Sequence, residues 1–162
     1  MILDVSAASR KGFDGVIFDK GYNLYSPYAS YKLIDNDGFF NMTMDKTLRL
    51  ESNVPTTFQN MSMGKVSILL NVDVARFSKL VFRKIGGESV ELVVTAFYEA
   101  MSGGPYTSEI TENFTPDGIC SCDITNLIKP NLTDIRIDLE LWIMYGYVDP
   151  ISYWEIDKIW FE

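Results

Sequence analysis

The chain has 162 residues, enough for one domain with a proper core and no need of covalent staples. Hydrophobic residues make up 47% and aromatics 14%, which excludes a disordered chain, and no apolar run approaches the 18 or so residues of a membrane-spanning helix. Against 22 acidic residues there are 14 basic ones, a net charge of -8 with no basic cluster, so neither nucleic acid nor anionic membrane is expected as a partner.

The opening MILDVSAASRKGFDG lacks the basic start and apolar stretch of a secretory signal, so no export address is expected; residues 1–14 read as an extension and 15–162 as a single β-sandwich domain. The first predicted strand is GVIFD at 15–19, followed by a tyrosine-rich loop, DKGYNLYSPYASY, at 19–31. After an Asp37-Gly38 turn come GFFNMTM at 38–44 and KTLRLES at 46–52. KVSILLNV at 65–72 alternates cleanly, placing Val66, Ile68, Leu70 and Val72 inward. KLVFRKI at 79–85 ends in a Gly86-Gly87 turn, and SVELVVTAFYEA at 89–100 is apolar on both sides in its middle, the mark of a strand inside a sheet.

Turns at Gly103-Gly104-Pro105 and Pro116-Asp117-Gly118 precede ICSCDI at 119–124. There Cys120 and Cys122 share a strand face, too far apart for a relaxed disulfide, and read as two half-buried side chains. DITNLI suits a single helical turn capped by Asp123 or Thr125. The clearest alternation follows: Ile135, Ile137, Leu139, Leu141 and Ile143 face a core, while Arg136, Asp138, Glu140, Trp142 and Met144 meet solvent or a partner. After Asp149-Pro150 the closing SYWEIDKIWFE has no uniformly apolar row, so a bulge near Asp157 is expected to switch its faces. Ile159 and Phe161 are then core, Trp154 is left unassigned, and Trp142, Tyr145 and Tyr147 are the exposed aromatics.

No window holds a 3.6-residue repeat, and eight to ten short strands at regular spacing mean an all-β sandwich or barrel. NVDVARFSKLVF at 71–82 and SCDITNLIKPNLTDIRIDL at 121–139 share an order of strand, aspartate, β-branched residue, turn with an apolar plug, and strand. Two such crossings suit a two-sheet antiparallel β-sandwich of jelly-roll type.

With no histidine, Ser-His and Cys-His nucleophile pairs are excluded, and an enzyme is not expected. Carboxylates such as Glu109, Glu112 and Asp117 would have to serve a small glycoside hydrolase, the less favoured alternative. Asp35, Asp37, Asp117 and Asp149 sit in turns, yet without a D-x-D-x-D loop no metal ligands are assigned. Asn-x-Ser/Thr triplets at Asn41, Asn60, Asn113 and Asn131 suit strand ends and turns as well as sugar attachment.

VDVARFSKLVF, CDITNL before a long strand, and the terminal YWEIDKIWFE together resemble the galactose-binding-like jelly roll of carbohydrate-binding modules, of the kind associated with phage and prophage tail proteins. The matching positions are Asp73, Phe77, Lys79, Leu80, Asp123, Ile124, Thr125, Ile159 and Glu162; IFDKGYN at 17–23 is similar to the family's opening segment with Lys20 in place of its usual Asn. The family's Gly-Gly-Trp is absent, SPYAS standing there instead.

The resemblance implies a non-catalytic domain that binds glycan or polysaccharide on a host surface. A homo-oligomer or tail protein is a further partner, no cofactor is needed beyond an optional structural calcium, and the product would be made in the bacterial cytoplasm for the virion. It also implies that the first and last strands pair, bringing the 19–31 loop beside MYGYVDPIS. The candidate ligand-binding residues are then Tyr22, Tyr25, Tyr28, Tyr145, Tyr147, Asp149 and Trp142, with Tyr31, Asp19 and Asn23 nearby. Two alternatives stand beside this: tyrosines that merely plug the open end of a sandwich, and a structural virion or oligomer-forming β-sandwich with no sugar ligand.

Overall fold

The computed structural model describes residues 13–20, 24–25, 28–55, 57–58, 60–100, 106–144 and 152–162, with the main chain alone at 24–25. Among them lie twelve strands: β1 (Val16–Asp19), β2 (Leu24–Tyr25), β3 (Ala29–Asp35), β4 (Phe40–Met44), β5 (Leu48–Ser52), β6 (Ser62–Leu70), β7 (Lys79–Gly87), β8 (Val90–Tyr98), β9 (Thr107–Phe114), β10 (Gly118–Asp123), β11 (Leu132–Ile143) and β12 (Tyr153–Phe161). A single 3-10 turn spans Thr125–Leu127, where the DITNLI turn is predicted.

This exceeds the eight to ten strands expected: β2 is a two-residue strand inside the stretch read as a loop, and two longer strands were missed for physical reasons. β3 falls in the stretch read as a tyrosine loop, where Ser30 and Lys32 alternate with Tyr31 and Leu33 but none of these side chains is fully buried. β9, TSEITENF, is an edge strand whose inward row carries only Ile110 and Phe114 as apolar residues, so its hydrophobic alternation is weak.

The strands form two antiparallel sheets packed as a sandwich. One has five strands in the order β3-β6-β11-β8-β9; the other has seven, with the path β10-β7-β12-β1-β2 and with β4 and β5 joined to it through β5 and β12. β12 is shared: β7 runs along one of its edges, while β5 and then β1 pair with the other. Between the sheets lie Val66, Ile68, Leu70, Leu92, Val94, Ile135, Ile137 and Leu139 from one layer and Phe18, Leu48, Leu50, Phe82, Ile156 and Ile159 from the other, each at most 2% exposed. Phe40 of β4 closes the layers where β6 has no side chain, since a Cβ at Gly64 would overlap the Phe40 ring.

The two echoing segments carry the chain between sheets. In the first, Asp73 Oδ1 accepts the Ala75 N–H at 2.9 Å; in the second, Asp123 Oδ1 accepts the Thr125 N–H at 2.8 Å. Each aspartate turns the chain so that the next residue, Val74 or Ile124, plugs the core at no more than 1% exposure. The segments touch, the Ile124 N–H donating to the Ser78 carbonyl at 2.9 Å.

β12 contains the expected irregularity. Its register against β7 shifts on both sides of Ile156, so Trp154 and Ile156 point inward, Asp157 outward, and Ile159 and Phe161 inward again. Trp154 is thereby a core residue at 0% exposure, and Trp160 lies outside with its Nε1–H on Glu162 Oε1 at 3.1 Å. Outward Asp157 is nonetheless 3% exposed, because Arg83 and Lys20 close over it with N···O distances of 2.6 and 3.3 Å. Burial works to raise the Asp157 pKa, but those two cations outweigh it and hold the carboxyl below its usual range.

Cys120 and Cys122 share a face as expected and are free thiols, but they are fully rather than half buried. Burial raises both thiols, Cys122 to about 12, so neither is a nucleophile at neutral pH. Phe13, within the stretch read as an extension, packs edge-on against Tyr28, Phe77 and Phe161 at centroid distances of 5.7, 6.0 and 6.1 Å.

Candidate functional site

β1 and β12 do pair antiparallel, Val16 opposite Trp160 and Asp19 opposite Lys158. Beyond the Lys20 N–H bond to the Asp157 carbonyl the chain returns as β2, Leu24 opposite Asp19, and the first half of β12 is paired by β5 instead.

Tyr28 precedes Ala29, which stands opposite Leu70 of β6, while Trp142 stands opposite Met63 of the same strand. Those rungs are seven residues apart, roughly 23 Å at the rise of a strand, so Tyr28 and Trp142 lie at opposite ends of the sandwich. Tyr28 packs on Phe13, and the Tyr31 hydroxyl donates to the Ile17 carbonyl at 2.6 Å, tying the two sheets together. Tyr22, Tyr145, Tyr147, Asp149 and Asn23 lie outside the described residues, as does the side chain of Tyr25.

The carboxylates considered for hydrolysis do not converge. Glu109 and Glu112 are three apart on β9, so they face opposite sides of the sheet, and Asp117 accepts the buried Lys84 ammonium at 2.6 Å. The turn aspartates have structural partners: Asp35 takes the N–H groups of Gly38, Phe39 and Phe40, and Asp37 takes the Ser62 hydroxyl at 2.6 Å. Among the described residues no group of three or more carboxylates or thiols is placed to hold a metal ion.

Of the predicted residues, Trp142 is the one that the described structure places in an open groove. It projects from the outer face of the five-stranded sheet at 41% exposure. Its indole N–H donates to Glu140 Oε2 at 2.9 Å, which fixes the ring plane. Around it, Met61, Glu88, Ser89, Glu91, Asn113 and Met144 line a groove of about 410 Å³. Apolar flats beside carboxylate and amide oxygens are what a sugar ring requires, with its C–H patch on one side and hydroxyls around the rim.

The outward row of β11 is less solvated than its alternation suggests. Asp138 and Glu140, expected to meet solvent, are 1% and 8% exposed. Two cations close over Asp138: Lys65 Nζ from the neighbouring β6 and Arg136 Nε from β11 itself both reach its Oδ2, at 3.4 and 3.2 Å. Asp138 Oδ1 and Thr95 Oγ1, both buried on this face, have no hydrogen-bond partner among the described residues.

Glu140 stands on one rung between Lys65 of β6 and Glu91 of β8. Burial pushes its carboxyl above the usual range, the like charges of Glu91 and Asp138 push the same way, and the Trp142 indole and Lys65 oppose them. No motif signals this arrangement; the one legible sign was a tryptophan in an otherwise charged outward row.

No protein-family model matches the chain, and no curated protein sequence matches it. Among solved structures, it is similar to the enzymatically active domain of tailspike protein 4 of bacteriophage CBA120, with a TM-score of 0.53 and 10% identity over 84% of this chain and 20% of that one. The chain thus spans about a fifth of that tailspike domain. Two carbohydrate-binding modules are also found. A family 61 module in complex with β-1,4-galactotriose has a TM-score of 0.49 and 10% identity over 83% of this chain and 89% of that one. A family 11 module from Clostridium thermocellum, in complex with a β-1,3-1,4-mixed-linked tetrasaccharide, has a TM-score of 0.38 and 12% identity over 84% of each chain. At such identities the likeness is one of fold, the two-sheet antiparallel jelly roll.

Proposed function

We propose that this chain is a non-catalytic glycan-binding domain that holds an oligosaccharide against the outer face of its five-stranded sheet. The observation that carries this reading is Trp142, outward on a central strand and hydrogen-bonded to Glu140, with Glu91 and Asn113 in the same groove. A ring held in one plane loses little freedom on stacking, so most of the stacking energy is retained as affinity. The sequence resemblance adds a setting, a phage or prophage tail whose target is host-surface glycan.

A hydrolase needs one carboxyl to donate a proton and another to stay ionised across the scissile bond. Glu140 and Glu91 share a rung and Glu140 is raised, but Glu140 is 8% exposed and already holds the indole N–H, so a binding role fits its surroundings better.

The test is calorimetric titration against a panel of neutral and charged oligosaccharides, with Trp142→Ala alongside. Binding weakened about tenfold or more in the variant, with no product on long incubation, supports the reading. Hydrolysis abolished by Glu140→Gln would overturn its non-catalytic half. Exposed Met61, Trp142 and Met144, at 54%, 41% and 57%, favour a second reading, an interface between copies. A stable oligomer that Trp142→Ala dissociates, with no glycan bound, would establish it, since such contacts bury about 1,000 Å² or more.

A further inference from the structure

The same outer face has a second pocket at its other end, about 440 Å³, lined by Lys32, Ser67, Leu69, Phe97, Asp134 and Arg136 among others. From this pocket we infer that the bound glycan is acidic, a uronic-acid-containing chain whose carboxylate sits between Arg136 and Lys32. The inference rests on the proposed glycan-binding face and specifies its ligand class.

Charge is the first argument. The chain carries a net charge of -8, yet Lys32 and Arg136 line this pocket against Asp134 alone, with Lys65 and Asp138 next to it. One buried carboxylate, Asp138, is shared between Lys65 and Arg136, which leaves the pocket locally positive. The Trp142 groove at the far end carries Glu88 and Glu91 and no basic lining residue. The face is therefore polarised along β11, positive toward Arg136 and negative toward Trp142.

Geometry is the second. The Arg136 guanidinium lies over the Phe97 ring at 5.4 Å from its centroid and is pinned through Nε to Asp138. A planar fork held this way is prepared for bidentate contact with a carboxylate through its remaining N–H groups. Leu69, 44% exposed, offers an apolar surface to the sugar ring, while Ser67 and Asp134 offer partners for its hydroxyls. An inorganic anion would use only the cations and gain nothing from Leu69 or Phe97.

The experiment titrates short oligogalacturonides, their methyl esters, and neutral galactan oligomers of equal length. Wild type is expected to bind the acid form about tenfold or more tighter than the ester, with the gap narrowing as salt is raised. Lys32→Gln and Arg136→Gln should each erase most of that gap by weakening the acid form more than the ester. Lys32 is exposed and its substitution does not disturb the core, so a folding defect in Arg136→Gln leaves the test intact. Equal affinity for acid and ester, or a gap that persists in Lys32→Gln, overturns the inference. Neutral oligomers that bind through Trp142 with no gain from a carboxylate sink the acidic-ligand inference alone. Carboxylate-dependent binding that survives Trp142→Ala supports the pocket and sinks the Trp142 reading.

Discussion

Trp142 and Trp154 hold the same residue from opposite sides of the five-stranded sheet. The Trp142 indole donates to the Glu140 carboxylate outside at 2.9 Å, and the Trp154 indole, rising from the other sheet, donates to the Glu140 main-chain carbonyl beneath at 3.3 Å. The groove and the core therefore meet at one rung of β11.

Trp154→Phe should cost about 1–3 kcal/mol, the sum of a lost hydrogen bond and a small void at a site with 0% exposure. Because the bond ends on the main chain of Glu140, glycan affinity should fall along with stability. Chemical denaturation and calorimetric titration of the one variant read both; a drop in stability with affinity unchanged would separate the core from the groove.

Glu140→Gln tests the raised carboxyl. In the folded state Glu140 keeps its proton at pH values where the unfolded chain has released it, so native protein binds more protons and stability falls as pH rises through that window. The loss begins near the ordinary Glu value of about 4.3 and is complete above the raised one. In Glu140→Gln this part of the decline should vanish, visible as a flatter denaturation midpoint from the ordinary Glu range upward.

Asp157 behaves with the opposite sign. Its pKa is lowered in the fold, so its contribution is present above the ordinary carboxylate range and is lost as pH falls through the folded value. Asp157→Asn should cost about 1–2 kcal/mol near neutrality, a figure kept small because Arg83 and Lys20 are 41% and 53% exposed. Acid unfolding curves of the variant and wild type should converge at low pH.

Gly64→Ala should destabilise by about 1–3 kcal/mol, since the new methyl group overlaps the Phe40 ring that bridges the layers. Phe40→Leu alone should also destabilise, but in the Gly64→Ala background it should recover part of the loss. Additive costs in the double-mutant cycle would mean that the two positions do not share one space.

Much of the architecture was readable in local pattern. The inward rows Val66–Val72 and Ile135–Ile143, the paired thiols, the face switch beside Asp157 and the two aspartate turns each depend on neighbours within a few residues, and each is found. Three strands were missed: β2, two residues inside the stretch read as a loop, and β3 and β9, both edges of one sheet, where half-exposure weakens the alternation that identifies a strand.

Of the proposed site, only Trp142 was legible. A period of two tells which residues face outward, and it does so from sequence alone because it is a property of the extended backbone. It cannot tell what stands beside them. Lys65, Glu91 and Glu140 share a rung, and Lys32, Phe97 and Arg136 share a pocket, because strands distant in the chain are hydrogen-bonded neighbours. The fold class, inward rows and bulge were thus set by residues near in sequence; the burial of Asp138 and Glu140, the separation of Tyr28 from Trp142 and the polarity of the outer face were decided by which strands the tertiary structure laid side by side.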